Sequence, residues 1–125
     1  MIRKLQRSLR LYGNRRLIMT NEELQMISFE IVSYSGDARS KLLLALENAK
    51  QGKFEECDKL VAQANDCLND AHDAQMDVMK VEANGEPIQM GFIMTHAQDH
   101  LMTSLLLKDI IGTLIEKINK ERIRL

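Results

Sequence analysis

Residues 89–120 read QMGFIMTHAQDHLMTSLLLKDIIGTLIEKINK. The apolar positions Phe92, Ile93, Met94, Ala97, Leu101, Met102, Leu105, Leu106, Leu107, Ile110, Ile111, Leu114, Ile115 and Ile118 set the pattern of an α-helix. Together they cover far more than the ~100° stripe that an ordinary surface helix buries. Such a helix needs two interfaces: one inside its own chain and one outside it.

Working outward, the run Asn84-Gly85-Glu86-Pro87 upstream is the clearest loop in the chain, because it joins turn-forming residues to one that cannot donate a backbone hydrogen bond. Before it, Phe54, Leu60, Val61, Ala64, Leu68, Ala71, Met76 and Met79 predict a second helix from 54 to about 82. Gln51-Gly52-Lys53 is its upstream punctuation, with glycine at a helix C-terminus. Thr20-Asn21-Glu22-Glu23 is a helix-start signal, and Leu24, Ile27, Ile31, Val32, Tyr34, Leu42, Leu43, Ala45, Leu46 and Ala49 carry a first helix to about residue 50, with Gly36 a weak point in its middle. The third helix is expected over about 89–120.

These elements make the chain all-α. Three helices of some 30 residues with short connections bury their apolar faces by folding back on one another, as an antiparallel, up-down-up three-helix bundle. The surplus apolar face of the third helix then calls for self-association.

Composition agrees. The chain has 125 residues, 45% hydrophobic and 28% charged, with one proline, six glycines and 4% aromatics, poor material for an all-β fold. That length suits one domain. No apolar run approaches the roughly 20 residues of a membrane-spanning helix. Cys57 and Cys67 form neither a C-x-x-C pair nor a disulfide framework, which fits a reducing, cytoplasmic setting, and both are expected to be small buried residues. The eight methionines are expected in the core and at interfaces.

The net charge of −1 hides an asymmetry, since Arg3, Lys4, Arg7, Arg10, Arg15 and Arg16 place +6 in residues 1–18 and leave −7 on the remainder. An acidic body argues against nucleic-acid binding. Segment 1–18 is expected to be a basic extension, non-native or disordered, ahead of a domain spanning 19–125; a targeting or nucleic-acid arm is the other reading.

Set into the apolar third helix is Thr95-His96-Ala97-Gln98-Asp99-His100. His96, Asp99, His100 and Thr103 stand at i, i+3, i+4 and i+7 and share a face. Leu107, Ile110 and Leu114 continue it, so His96 and Asp99 are expected to point toward buried surface, where a carboxylate must be paired or bound to a cation. Three chemistries compete for this cluster. Two histidines at i, i+4 beside a carboxylate suit a transition metal, with His72 as a third ligand. A neutral imidazole suits nucleophilic attack on a phosphoryl donor. A structural histidine suits neither, and the residues alone do not decide among them.

The string Thr95-His96-Ala97-Gln98-Asp99-His100-Leu101-Met102-Thr103-Ser104, with Ser35-Gly36-Asp37-Ala38-Arg39-Ser40, Ala49-Lys50-Gln51-Gly52-Lys53-Phe54 and Leu68-Asn69-Asp70-Ala71-His72, resembles the lactose/cellobiose-type IIA component of the bacterial sugar phosphotransferase system. The resemblance covers residues 20 to about 120. It implies a homotrimer of three-helix subunits, nine helices in all. It also implies a phosphoryl carrier that is charged by the histidine-containing phosphocarrier protein and discharges to a cysteine of its IIB partner. His96 matches the phosphorylated histidine, and Asp99 matches a trimer-axis aspartate that binds Mg2+. His100 and His72 are pocket candidates. Asp37 stands where the family often has Gln, and Asp70 where it often has Glu.

The sugar is bound by the membrane IIC permease, so lactose, cellobiose and diacetylchitobiose stay open, with a lean toward cellobiose or a related β-glucoside. The alternatives are a non-catalytic helical adaptor and a helical metal-binding protein.

Overall fold

The computed structural model describes residues 19–124, and the expected basic extension at 1–18 lies outside them. The described residues form three helices, α1 (Asn21–Lys50), α2 (Phe54–Ala83) and α3 (Phe92–Arg124), with no strand among them. None is long and apolar enough to cross a membrane.

Local chemistry sets the helix ends. Thr20 caps α1 through a reciprocal pair: Glu23 N–H donates to Thr20 Oγ1 at 3.1 Å, and Thr20 N–H donates to Glu23 Oε2 at 3.2 Å. Two glycines with positive φ close α1 and α2, Gly52 at 77° and Gly85 at 88°. After Gly52 the Lys53 N–H reaches back to the Asn48 carbonyl at 2.8 Å, and after Gly85 the Glu86 N–H reaches the Val81 carbonyl at 3.4 Å. Both are Schellman closures, whose left-handed residue costs glycine nothing.

The first two helices lie where the periodicity places them, and Gly36 does not interrupt α1. The third begins at Phe92 rather than near residue 89. Residues 86–91 run without regular structure, Ile88 packs against the core, and the first helical hydrogen bond is from Thr95 N–H to the Gly91 carbonyl at 3.2 Å. The apolar content of the connector had been indistinguishable from another helical turn.

Long-range bonds fix the topology. Cys67 of α2 meets Asp37 of α1, and Gln98 of α3 meets Gln75 of α2. Each pair sits at similar distances on either side of its connector, which makes consecutive helices antiparallel. Ser104 of α3 meets Ser35 of α1, so those two run parallel. α1 packs along both neighbours, whereas α2 and α3 share much less surface.

The core is aliphatic. Ile31, Leu42, Leu68, Met94, Leu101 and Ile111 are its largest fully buried side chains, and Ala38, Ala45, Ala64, Ala71 and Ala97 let the helix backbones approach. Three serines share this interior. Ser28 donates to the Leu24 carbonyl at 2.7 Å and Ser104 to the Ser35 carbonyl at 3.2 Å, whereas the buried Ser35 hydroxyl has no hydrogen-bond partner among the described residues.

Candidate functional site

His96 and Asp99 are exposed, and His100 is half-buried. The expectation that the first two point toward buried surface is therefore not met within one chain. The reason is rotational. α3 turns Met94, Ala97, Leu101, Ser104 and Ile111 into the core, and at 100° per residue Asp99 falls roughly opposite that stripe. Its own face carries Phe92, Met102, Leu106, Ile110 and Leu114, all exposed. The Asp99 face is apolar, as the sequence implied, but nothing among the described residues covers it.

The His96 and His100 rings meet edge to face, with centroids 4.5 Å apart and planes at 71°. One helical turn separates them, so the contact follows from backbone geometry alone. Thr103, a turn further on, donates its hydroxyl to the Asp99 backbone carbonyl at 2.7 Å, not to the carboxylate. Gln98 points from the opposite flank to Gln75 of α2 and donates to Met94 Sδ at 3.8 Å, tying this turn of α3 to the bundle. Neither glutamine link was legible beforehand, because an i to j contact across helices has no signature in spacing.

His72 is exposed on α2 and makes no hydrogen bond, ring contact or ion pair with His96 or His100. No cluster of three or more His, Cys, Asp or Glu able to hold a metal occurs among the described residues. A single-chain transition-metal site built from His96, His100 and His72 is thus not assembled.

The cysteines divide. Cys57 is buried as expected; Cys67 is half-buried, and its thiol donates to Asp37 Oδ2 at 3.4 Å. Lys41 donates to the same oxygen at 2.7 Å and holds the Asp37 carboxyl below its ordinary value. Burial, then the Asp37 carboxylate, pushes the Cys67 thiol upward, so it stays protonated near neutrality. Burial likewise raises Cys57. The methionines also divide: Met94 is buried, but Met26, Met79, Met90 and Met102 are exposed.

Chemically, the arrangement offers one accessible imidazole backed by a second and a carboxylate a turn away on an uncovered apolar face. Residues 26–119 match the family described as the lactose/cellobiose-specific IIA subunit of the phosphotransferase system. The chain is 51% identical over 102 residues to the lactose-specific EIIA component of Staphylococcus epidermidis, covering 82% of this chain and 98% of that protein. It superimposes on the cellobiose-specific enzyme IIA of Bacillus anthracis with a TM-score of 0.77 at 36% identity, covering 85% of this chain and 95% of that one. It also superimposes on IIA(Chitobiose), solved in complex with HPr, from the Escherichia coli phosphotransferase system, with a TM-score of 0.70 at 35% identity over 80% and 97% of the two chains. Sequence and fold thus agree over nearly the whole described bundle, and the chain belongs to the lactose/cellobiose-specific IIA family of the phosphotransferase system.

Proposed function

We propose that the chain carries phosphoryl groups on His96, between the histidine-containing phosphocarrier protein and the cysteine of a cognate IIB protein. The observation that carries the proposal is the exposed His96 ring that opens the H-A-Q-D-H string of a IIA family member. The E. coli relative solved with HPr supports the first partner.

In the first step the neutral His96 Nε2 attacks the donor's phosphorus. The new N–P bond forms as the donor's N–P bond breaks, and the donor imidazole leaves with a proton. In the second step a IIB thiolate attacks the same phosphorus, and His96 departs as the leaving group, taking up a proton. Exposure of His96 suits both steps, because each partner must bring a reacting atom to that nitrogen. His100 is placed to steady the ring or a phosphoryl oxygen. His72 is a weaker pocket candidate, for want of any contact with either ring.

The active form is a homotrimer of nine helices, with α3 of each subunit at the axis. The exposed apolar face of Leu106, Ile110 and Leu114 supports this reading. Three copies of the Asp99 carboxylate would converge there, and carboxylate oxygens suit Mg2+, a hard cation that keeps several waters. The ion would neutralise charge that is otherwise costly in apolar surroundings. The carrier would work at the cytoplasmic side of a IIC permease, without contacting the sugar. The 51% identical lactose-specific relative favours lactose over the cellobiose expected from the sequence.

Incubation with phosphoenolpyruvate and the two general proteins of the system should label the wild-type chain and not His96→Ala. Absence of label on the wild type would favour an adaptor.

A further inference from the structure

Arg39 of α1 and Asp109 of α3 are exposed, and among the described residues neither charged group has an ion pair or a hydrogen bond. A single chain keeps them apart. The bond from Cys67 marks Asp37 as the side of α1 that faces α2, and Arg39, two residues on, lies about 160° around the helix from it. Asp109 follows Gln98 by three turns with only about 20° of net rotation, so it shares the flank of α3 that meets Gln75 of α2. Arg39 therefore stands at the outer edge of the α1–α3 furrow, and Asp109 on the far side of α3.

Their heights along the bundle agree all the same. Because Ser104 meets Ser35 and the two helices run parallel, a residue of α1 is level with the residue about 69 positions later on α3. Arg39 and Asp109 are thus level to within about one residue, or 1.5 Å of rise. Rotation about an axis along the helices preserves height, which sets Arg39 of one copy opposite Asp109 of the next.

The same offset matches the residues around them. At steps of four, three and four, α1 presents Val32, Gly36, Arg39 and Leu43, and α3 presents Met102, Leu106, Asp109 and Thr113. Leu43, Met102 and Leu106 are exposed and uncharged. Gly36 lies inside a helix, where glycine is unfavourable, yet a Cβ at that position would meet nothing within 4 Å. The single chain gives no reason for a glycine there. A second copy does, since Met102 and Leu106 stand just below and above its height and need room to approach.

We propose that α3 of one copy beds into the α1–α3 furrow of the next, with the helix backbones close at Gly36 and an ion pair between Arg39 and Asp109 of the partner subunit. The inference rests on the homotrimer proposed above and names the contact that closes it. Each copy offers Arg39 to one neighbour and Asp109 to the other, the head-to-tail arrangement from which rings are built. Met102 and Asp109 lie to the α2 side of Asp99 around α3, so the contact leaves Asp99 free to face the axis. The pair also fixes register: a slip of one helical turn would set Arg39 against Leu106 or Thr113 and leave both charges unpaired in the seam.

Sedimentation velocity over a range of concentrations, on the full-length chain, tests the pair through Arg39→Asp, Asp109→Arg and the double exchange. Each single reversal turns attraction into repulsion at three contacts and should raise the concentration of half-assembly about tenfold or more, and the double exchange should restore it to within about threefold of wild type. Gly36→Leu should abolish the trimer. Circular dichroism should be unchanged in all four variants, since both charges are exposed and Gly36 has space beside it. Single reversals that assemble as tightly as wild type, or a double exchange no better than the singles, would overturn the ion pair while leaving the trimer standing. Full assembly of Gly36→Leu would overturn the close approach at that position. A wild type that stays monomeric at micromolar concentration would overturn the trimer and this contact together.

Discussion

The edge-to-face contact of His96 with His100, centroids 4.5 Å apart, places two imidazoles of different exposure on one turn of α3. In the proposed relay the exposed ring is the one offered to a partner, and the half-buried ring supports it. His96→Ala should remove all phosphate label. His100→Ala should slow labelling about tenfold without abolishing it, the loss expected when one hydrogen-bonding or orienting contact of about 1.4 kcal/mol is removed. Initial rates of phosphate incorporation distinguish the two, with circular dichroism as a check that both variants fold. Full-rate labelling of His100→Ala would leave that ring a packing role only.

Asp99 and Ile110 test the uncovered face of α3 separately. Asp99→Leu removes the carboxylate while adding apolar area, so Mg2+ binding, measured by isothermal titration, should disappear whether or not the oligomer survives. Ile110→Asp puts charge into the apolar stripe and should dissociate the proposed trimer, because burying an unpaired carboxylate costs several kcal/mol per ion. Sedimentation velocity reads the result. A wild-type chain that sediments as a monomer at micromolar concentration would refute the axial arrangement.

Within the bundle, Leu101 and Ser104 differ in what their loss should do. Leu101 is fully buried, and Leu101→Ala should destabilise the chain by about 2–5 kcal/mol through lost transfer energy and the cavity left behind. Ser104→Ala removes a hydrogen bond to a carbonyl that is already part of α1, and should cost about 1 kcal/mol or less. Urea unfolding of the two variants provides the comparison, and equal midpoints would contradict this account of the α1–α3 contact.

Cys67 should react slowly with a thiol reagent at neutral pH, its rate rising only above the ordinary thiol range, because burial and Asp37 both raise its pKa. Asp37→Asn removes the second cause and should move the rate profile to lower pH, though not fully, since burial is the larger. The linkage signs follow. A raised thiol stabilises the fold below its unfolded pKa, and that contribution is lost as pH rises through the folded value. Asp37, depressed chiefly by Lys41, contributes above the ordinary carboxylate value and loses its contribution as pH falls. Both effects should be small, since Asp37 is half-exposed. A Cys67 profile indifferent to Asp37→Asn would break the link between them.

The helices themselves were legible from local signals. The Thr20 and Glu23 capping box, the glycines at 52 and 85 and the three-to-four spacing of aliphatic residues act over a few positions, and a linear pattern records interactions of that range. The H-A-Q-D-H string was legible for the same reason, as was the proximity of His96 to His100, which one turn of helix enforces. What required the tertiary structure was rotation and partnership. The apolar surface of α3 exceeded one face, and periodicity alone could not say which part its own bundle would bury; close packing of Ala97, Leu101 and Ser104 against α1 decided it and turned Asp99 outward. The pairings of Gln75 with Gln98, Ser35 with Ser104 and Asp37 with Cys67 join residues 23, 69 and 30 positions apart. Such contacts exist only once the helices have chosen their crossing and register, because that choice is made by the fit of whole faces rather than by any residue's neighbours in the chain.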